Sequence, residues 1–170
     1  MKNLELKVKY TDFTLAKKVC KCINAKNSGV LMQTDTFFNL NKSRLKLRNI
    51  NNNKFELIYY NRTNTKTEKI SEYEIIRMQD EMPVKKLLKE YLGVRGVVNK
   101  KRELYLYENV RIHLDTVRGL GRFLEFEIVC NNSKELNAAP EKMKKLKKIF
   151  EISPKDLISL SYIDMLETGK

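Results

Sequence analysis

Strict alternation of charged and apolar residues is the feature that most constrains the fold of this 170-residue chain. It is clearest in the segment 111–129 (RIHLDTVRGLGRFLEFEIV), where Ile112 and Leu114 separate polar residues and Glu125 and Glu127 alternate with apolar ones. Successive side chains of a strand point to opposite faces, so this pattern predicts two strands joined by a turn. Glu125 and Glu127 then share a face, about 6.6 Å apart along the strand. Such a pair is either a solvated sheet face, which is the commoner arrangement, or a site for a hard divalent cation.

The same alternation predicts further strands along the rest of the chain. They are residues 4–8, 33–40, 43–48, 55–62, 71–76 and 97–107. The polar segments 49–54 and 64–69 are predicted to be loops between neighbouring strands. Strands that are adjacent in sequence favour antiparallel pairing, and eight of them can close into a barrel.

Four segments instead have the period of amphipathic helices. Their predicted starts are Thr11, Pro83, Ser133 and Ser153. We expect the first helix to continue to about Asn27 and the third to break or restart at Pro140. The second helix has an apolar stripe formed by Val84, Leu87, Leu88 and Tyr91. Because such stripes need apolar surface to cover, the expected fold is α+β, with helices packed outside a closed, eight-stranded antiparallel barrel.

Length and composition predict one domain over residues 1–170, with no linker or internal repeat. The formal net charge of +13 implies an anionic partner such as nucleic acid, an acidic membrane surface or a polyphosphate. No apolar run approaches the roughly 18 residues of a membrane span, and the amino-terminal residues contain no signal core. We therefore expect a cytoplasmic protein without a membrane partner. Three cysteines indicate neither a disulfide framework nor a zinc site.

The charges on the alternating strands are sorted by sign. Carboxylates share faces as Glu72 with Glu74 and Glu125 with Glu127, whereas cations share faces as Arg44, Lys46 and Arg48 or as Lys100 and Arg102. One interpretation is that all these faces meet water, as in an ordinary antiparallel sheet. The other is that helices cover the apolar faces, so that the charged faces line a tunnel. Such a tunnel suits a polyphosphate, because cations bind its oxygens and carboxylates hold a bridging metal ion.

The chain resembles the CYTH superfamily of triphosphate tunnel metalloenzymes, and most closely its class IV adenylate cyclase-like branch. The resembling segments are NLELKVK (3–9), QTDTFF (33–38), RLKLR (44–48), ELIYY (56–60), VVNKKRELYLY (97–107), RIHLD (111–115), GLGRFLEFE (119–127) and SYIDML (161–166). They span nearly the whole chain in the expected order. The resemblance implies an eight-stranded tunnel with its helices outside.

The resemblance also implies a site for Mg²⁺ or Mn²⁺. The expected ligands are Glu5, Asp115, Glu125 and Glu127, with Glu72 or Glu74 as a further candidate. The family's opening E-x-E-x-K signature falls on residues 3–7, where Asn3 stands in place of the first glutamate. An amide oxygen brings no charge, so this departure predicts weaker metal binding than in relatives that have both glutamates.

Cations of the same faces are the expected phosphate-binding groups. The resemblance assigns this role to Lys7, Lys46, Arg48, Lys100, Arg102 and Arg111. The charged faces add Lys9, Arg44 and His113 as candidates for substrate contact, although a lone histidine more often has a structural role. We assign catalysis to Glu5, Lys7 and Arg102 on the basis of the resemblance.

Three functions remain open from the sequence. The first is an adenylate cyclase-like enzyme that converts ATP to cyclic AMP and pyrophosphate, and the second is a hydrolase of thiamine triphosphate or tripolyphosphate. The third is a non-catalytic binder of polyphosphate or, less expected, of RNA. Tyr59, Tyr60, Tyr105 and Tyr107 could stack a base, although alternating tyrosines are ordinary strand residues. A homodimer is retained as a candidate oligomeric state.

Overall fold

The computed structural model describes residues 2–62 and 68–169, with the main chain alone for residue 62. The described strands are β1 (Lys2–Lys9), β2 (Lys26–Phe38), β3 (Arg44–Ile50), β4 (Lys54–Arg62), β5 (Lys69–Met78), β6 (Val94–Tyr107), β7 (Val110–Val117) and β8 (Gly121–Cys130). The described helices are α1 (Phe13–Cys22), α2 (Met82–Leu92), α3 (Ser133–Ile149) and α4 (Tyr162–Thr168), with a 3₁₀ turn at Pro154–Asp156.

The eight strands form one closed antiparallel barrel in the order β1-β5-β4-β3-β2-β6-β7-β8. Closure occurs at β1, which pairs with β5 on one side and with β8 on the other. Every strand therefore has two partners, and the barrel has no open edge. The predicted α+β class and the closed, eight-stranded antiparallel barrel are confirmed.

The largest apolar cluster lies between the outer surface of the barrel and two helices. Leu6 of β1, Ile112 of β7 and Phe126 of β8 point outward and pack against α1 and α3, which contribute Ala16 and Met143. All five side chains are buried. Because side chains alternate along each strand, burial of this face under helices turns the charged face inward. The inward orientation predicted for the charged stripe is confirmed on these strands.

The predicted extent of the first helix is wrong. Helix α1 ends at Cys22, and Asn24 takes a left-handed conformation with φ of 58° that an α-helix does not contain. The chain then enters β2 at Lys26, whose first residues pair with β6. Gly29 lies within this strand, where the register with β6 shifts, rather than at a helix end. Tertiary pairing thus overrides the helical period of the segment.

The predictions for the last two helices also need correction. Helix α3 runs unbroken through Pro140, because the proline ring is exposed while Ala139 and Met143 hold the buried side of the helix. Residues 153–156 form only a 3₁₀ turn, and the final helix begins at Tyr162. Between them, Ile158 donates its backbone N–H to the carbonyl of Lys7 at 2.9 Å. This pairing with β1 keeps the segment extended.

The apolar stripe predicted for the second helix is not buried. Helix α2, which is described in full, contains no buried residue, and Leu87 and Tyr91 are 56% and 75% exposed. The predicted loop 64–69 lies outside the described residues at positions 64–67, whereas Lys69 begins β5 and is buried. None of the described helices is long and apolar enough to cross a membrane. The three cysteines, all within the described ranges, are free thiols.

Candidate active site in the barrel tunnel

The barrel encloses a cavity of about 420 Å³ that every strand helps to line. Among the described lining residues, eight are cationic and five are acidic, which leaves an excess of three positive charges. The cationic residues are Lys7, Lys46, Arg48, Lys54, Arg77, Lys100, Arg102 and Arg111, and the acidic ones are Glu5, Asp35, Glu56, Glu125 and Glu127. A cavity with this balance of charge attracts a compact, highly charged anion.

Three carboxylates of the cavity, Glu5, Glu125 and Glu127, belong to the neighbouring strands β1 and β8, and we call them the acidic wall. Glu5 lies directly opposite Glu127 in the strand register. Directly opposite residues of an antiparallel pair have Cβ atoms about 4.5–5.5 Å apart. The acidic wall therefore brings Glu5 and Glu127 together, as binding of a hard metal ion requires. Glu125 lies two residues before Glu127 on β8.

Glu125 is held by cations from two strands. Its carboxylate lies 3.2 Å from Lys7 Nζ and 2.8 Å from Arg102 Nη2. Burial opposes ionisation, but Lys7, the nearby imidazole of His113 and Arg102 outweigh it and keep the pKa of Glu125 well below its usual range. Glu125 is thus a carboxylate at neutral pH, with its charge partly neutralised inside the barrel.

Asp115 lies behind this cluster and does not line the cavity in the described residues. It is fully buried and accepts hydrogen bonds of 2.7 and 2.5 Å from Arg102 Nε and Nη2, as well as one of 3.0 Å from the Tyr162 hydroxyl. Its role in this geometry is to fix the Arg102 guanidinium, which then extends to Glu125. Burial, followed by Asp115 and Glu125, raises the pKa of the Tyr162 hydroxyl, which remains a donor.

Asn3 is fully buried and faces inward from β1. Its amide nitrogen donates to Glu127, and its oxygen lies 3.4 Å from the Tyr73 hydroxyl, which donates to it. Glu127 also lies 3.2 Å from Arg111 Nη1. At the position of the first signature glutamate, this chain therefore has a hydrogen-bond donor that orients a neighbouring carboxylate.

His113 is buried between the two glutamates of β8. Its Nδ1 lies 3.7 Å from Glu125 and its Nε2 lies 3.8 Å from Glu127. Burial and the nearby Arg102 lower the pKa of His113, so the imidazole is neutral at neutral pH. Nδ1 has no hydrogen-bond partner within the described part of the chain. The histidine is inside the tunnel, as the alternation predicted.

The acidic wall fits a hard divalent cation in donor chemistry, because its ligands are carboxylate oxygens beside the amide of Asn3. In the described ranges, however, no three acidic, histidine or cysteine side chains converge closely enough to hold a metal. Glu125 and Glu127 instead contact Arg102 and Arg111. The further candidates Glu72 and Glu74 are exposed outside the barrel, so that prediction is wrong.

Two cations of β3, Lys46 and Arg48, face the acidic wall from across the barrel, because β3 lies opposite β8 in the strand order. Lys100 of β6 lies beside them, on the other side of β2. We call Lys46, Arg48 and Lys100 the basic wall. Asp35 of β2 accepts hydrogen bonds from Arg48 Nε and Nη2 at 2.7 and 2.8 Å, and its carboxylate lies 3.3 and 3.6 Å from the two lysines. Burial opposes ionisation of Asp35, but the three cations hold its pKa well below the usual range.

Burial makes both lysines of the basic wall titratable near neutrality. Together with Arg48, it lowers the pKa of Lys46 to about 7 despite the neighbouring Asp35. For Lys100, burial and Arg102 lower the pKa to about 8. A phosphate bound beside these amines would favour their charged forms.

Two predicted substrate-binding residues lie away from the cavity lining. Lys9 is exposed and donates to the Leu120 carbonyl at 2.5 Å, and Arg44 pairs with Asp164 of α4 at 2.8 Å. The prediction missed Asp35, whose place on the inward face follows from alternation in 33–38, and Tyr162, which has no strand pattern to locate it. The Tyr162 ring centroid lies 3.7 Å from Lys7 Nζ. With Ser161, Tyr162 also lines the cavity.

Comparison with known proteins identifies the family and supports the fold of this chain. The sequence model of the CYTH domain matches residues 1–162. A protein of Methanocaldococcus jannaschii named "Putative adenylate cyclase" is 28% identical over 174 residues, which cover 97% of this chain and 98% of that protein. The structure of the PH1012 protein from Pyrococcus horikoshii has a TM-score of 0.85 and 26% identity, and the match covers 95% of this chain and 98% of that one. At 20% identity, a Vibrio parahaemolyticus structure described as a "putative adenylate cyclase" shares the fold, with a TM-score of 0.81 and coverage of 97% of each chain. The chain belongs to the CYTH family.

Proposed function

We propose that this protein is a metal-dependent enzyme that acts on a triphosphate inside the barrel, with adenylate cyclase as its reaction. The observation that carries the proposal is that the acidic wall and the basic wall line one cavity, with Lys46 and Arg48 of β3 across the barrel from β8. Members of the CYTH family bind triphosphates and are in general metal-dependent. The name of the Methanocaldococcus jannaschii relative supports the choice of a cyclase.

The basic wall supplies the phosphate contacts. Arg48 offers two N–H groups that now bond to Asp35, and a guanidinium binds phosphate oxygens in the same paired manner. Lys46 and Lys100 add point charges on either side. Because Lys100 is buried and Lys46 and Arg48 are only partly exposed, their attraction for phosphate is screened less by salt than that of surface lysines.

Glu5, Glu125 and Glu127 would hold the divalent cation, either Mg²⁺ or Mn²⁺. Such an ion neutralises phosphate charge and helps to orient the nucleophile. Arg102 is held rigidly by Asp115, and Lys7 is held between Glu125 and the Tyr162 ring. Both can stabilise negative charge that develops on the phosphates without reorganising, which is the more effective form of electrostatic catalysis.

In the cyclase reaction, the ribose 3′ oxygen bonds to the α-phosphorus and pyrophosphate leaves, which gives cyclic AMP. The second candidate is hydrolysis of a triphosphate by water, since the phosphate and metal groups required are the same. Incubation of the purified protein with ATP, thiamine triphosphate and tripolyphosphate, each with Mg²⁺ or Mn²⁺, separates the two. We expect cyclic AMP and pyrophosphate from ATP. Release of inorganic phosphate without cyclic AMP would show that the enzyme hydrolyses triphosphates and is not a cyclase.

A non-catalytic binder is the remaining alternative. The basic wall lies inside the cavity, where a folded RNA cannot reach it, so nucleic acid is the less favoured ligand. An RNA-binding protein would lose affinity steeply as salt rises. Metal-dependent product release from any of the three triphosphates would exclude a purely binding role.

A further inference from the structure

Lys69 is a buried lysine that has no part in the reaction proposed above. It begins β5, and its side chain, at 2% exposure, is among the largest that are fully buried in the described part of the chain. Burial of an ammonium group is costly unless its charge is compensated and its N–H groups are bonded. The surroundings of Lys69 therefore indicate what the fold gains from this charge.

Strand register places Lys69 at one end of a row of four charges. Arg111 of β7 lies opposite Glu127 of β8, which lies opposite Glu5 of β1. On its other side, Glu5 lies opposite Lys69. Directly opposite residues share a face of the sheet and have Cβ atoms about 4.5–5.5 Å apart. We call these four residues the charge row, in which a cation at each end flanks two carboxylates.

The two cations of the charge row differ in their freedom to move. The Arg111 side chain is 40% exposed, lines the cavity and lies 3.2 Å from Glu127. Lys69 is not among the described residues that line the cavity, and its Nζ donates a hydrogen bond to the carbonyl of Ser159. Arg111 can therefore turn from Glu127 to a bound phosphate, whereas Lys69 stays beside Glu5.

The carbonyl that Lys69 bonds belongs to residues 157–161, which we call the strap and which lead directly into α4. Lys7 Nζ donates to the next carbonyl of the strap, that of Leu160, at 3.3 Å. The backbone N–H of Ile158 in turn donates to the carbonyl of Lys7 at 2.9 Å. Lys69 is therefore anchored to a segment that β1 also holds, which leaves it little freedom to follow a ligand.

We infer that Lys69 is a positioning residue of the proposed metal site and that it supplies the fixed counter-charge of Glu5. The inference rests on the proposed function and deepens it, because it names a residue that sets how strongly the protein binds a cation. Without metal, the Lys69 ammonium offsets the repulsion between Glu5 and Glu127 and keeps both carboxylates charged inside the cavity. A divalent cation held by these carboxylates is repelled by the same ammonium, which cannot move away. Lys69 therefore weakens the binding of metal in the absence of substrate.

Two variants separate the charge of Lys69 from its hydrogen bond. Lys69→Met removes both, whereas Lys69→Gln keeps an N–H donor for the Ser159 carbonyl without the charge. In calorimetric titrations without substrate, both variants should bind Mn²⁺ at least about tenfold more tightly than the wild type. A unit charge within about 8 Å of a divalent cation repels it by more than that factor at the effective dielectric constant of protein sites. Hydrogen exchange of the strap amides should be faster in Lys69→Met than in Lys69→Gln.

Lys2→Met is the matched control, because Lys2 belongs to the same pair of strands but lies on the outer face, where it pairs with Glu72. It should bind Mn²⁺ as the wild type does. Damage to the fold alone would weaken metal binding, so the sign of the change identifies a counter-charge. Folded Lys69 variants that bind Mn²⁺ no more tightly than the wild type would overturn the inference and leave the triphosphate function intact. Loss of the native circular dichroism spectrum in both variants would assign Lys69 to stability alone and overturn the inference as well. Failure of the wild type to bind Mn²⁺ even with tripolyphosphate present would overturn the proposed function too.

Discussion

Asp35 partly neutralises the three cations of the basic wall from inside the barrel. Its carboxylate is 2% exposed, and it contacts all three cations of the wall. A ligand phosphate must compete with this carboxylate for the same N–H groups of Arg48. Asp35 thus stabilises the empty tunnel and limits the affinity for anions, and these two effects can be separated by mutation.

Replacement of Asp35 by asparagine should destabilise the empty protein and tighten its binding of phosphate. Removing one partner of a buried ion pair costs about 3–5 kcal/mol, because the remaining charges are left without compensation. Denaturant unfolding with and without tripolyphosphate measures both effects. Glu74→Gln, on the exposed face of β5, is the control and should change neither quantity. Unchanged stability in Asp35→Asn would show that Asp35 does not hold the basic wall.

Glu125 and Glu127 are the residues on which the proposed metal site depends most. Each change to glutamine keeps size and removes one charge, so activity at fixed Mg²⁺ should fall by more than about tenfold, a loss that even groups supporting metal ligands commonly cause. Metal titrations of initial rates provide the measurement. Glu72→Gln removes a carboxylate from the outer face, where it pairs with Lys2, and should retain wild-type activity. Full activity of both inner variants at low metal would contradict the assignment.

At the scale of single elements, charge pairs hold α4, whose first residue, Tyr162, lines the cavity. Asp164 accepts hydrogen bonds of 2.8 Å from Arg44 and from Arg95, and it completes a capping box with Ser161. Next to this cap, Tyr162 reaches Asp115 inside the barrel. The position of the tunnel-lining Tyr162 is therefore set by a helix cap and by arginines that lie outside the cavity lining.

Substitution of Asp164 by alanine should loosen α4 and weaken triphosphate binding. The N-cap residue Ser161 remains, but its backbone N–H loses the Asp164 carboxylate as acceptor. Two arginines also lose hydrogen bonds to a charged group, which contribute about 1.5–3 kcal/mol each. Hydrogen exchange should show faster exchange of the α4 amides, while the amides of β7 stay protected. Glu167→Ala removes an acidic partner of Arg95 that is more exposed, so it should have a smaller effect. Equal exchange in the two variants would mean that the cap does not hold the helix.

The strands could be predicted from the sequence because alternation records which side of a sheet each residue faces. Glu125, Arg48 and Lys7 face inward as expected, but Glu72 and Glu74 share a face that points outward. A local sequence pattern does not indicate which polar face of a strand lies inside the barrel. In β5 the inward residues include Ser71 and Tyr73, which are less polar than their outward neighbours.

The predicted boundaries of helices and strands are wrong where pairing with a distant strand decides the conformation. The helical period of residues 23–27 yields to pairing of β2 with β6, and the segment after Pro154 yields to a backbone contact with β1. Pro140 is tolerated because α3 packs on the barrel on both sides of it. Each of these outcomes depends on contacts with residues that are distant in sequence. Local helix or strand propensity carries no information about such contacts.

At the scale of the whole molecule, the barrel concentrates charge on the lining of one cavity. Its apolar outer face packs under α1 and α3, and its inner face holds eight cations and five acids among the described lining residues. Like charges this close are costly unless paired, and the pairs seen here leave a positive excess. An anionic ligand relieves that excess, so stability and binding should depend on pH in opposite ways.

The stability of the empty protein should rise as the pH increases above 7. Lys46 and Lys100 have folded-state pKa values of about 7 and about 8, below the value of 10.5 for an exposed lysine. Between these values and 10.5 the unfolded chain binds more protons, so each lysine raises the unfolding free energy with pH, by at most about 1.4 kcal/mol per pH unit. At a pH below the folded-state pKa values, both lysines are protonated in the folded and the unfolded protein. Their buried charges then lower the free energy of unfolding by the full amount. Denaturant unfolding at pH 7 and pH 9.5, for the wild type and for Lys46→Met, measures the contribution of Lys46.

Triphosphate affinity should fall over the same range, because deprotonation removes the charges that bind phosphate. Near pH 8, binding should instead draw protons onto the two lysines, since a bound phosphate favours their charged forms. Calorimetry with tripolyphosphate in buffers of different ionisation enthalpy detects this uptake as a buffer-dependent heat. Lys46→Met should take up fewer protons than the wild type, and the exposed Lys101→Met, on the outer face of β6, should match the wild type. Heats that do not depend on the buffer at pH 8, in a protein that binds tripolyphosphate, would mean that these amines are already charged in the empty tunnel and that burial does not govern their titration.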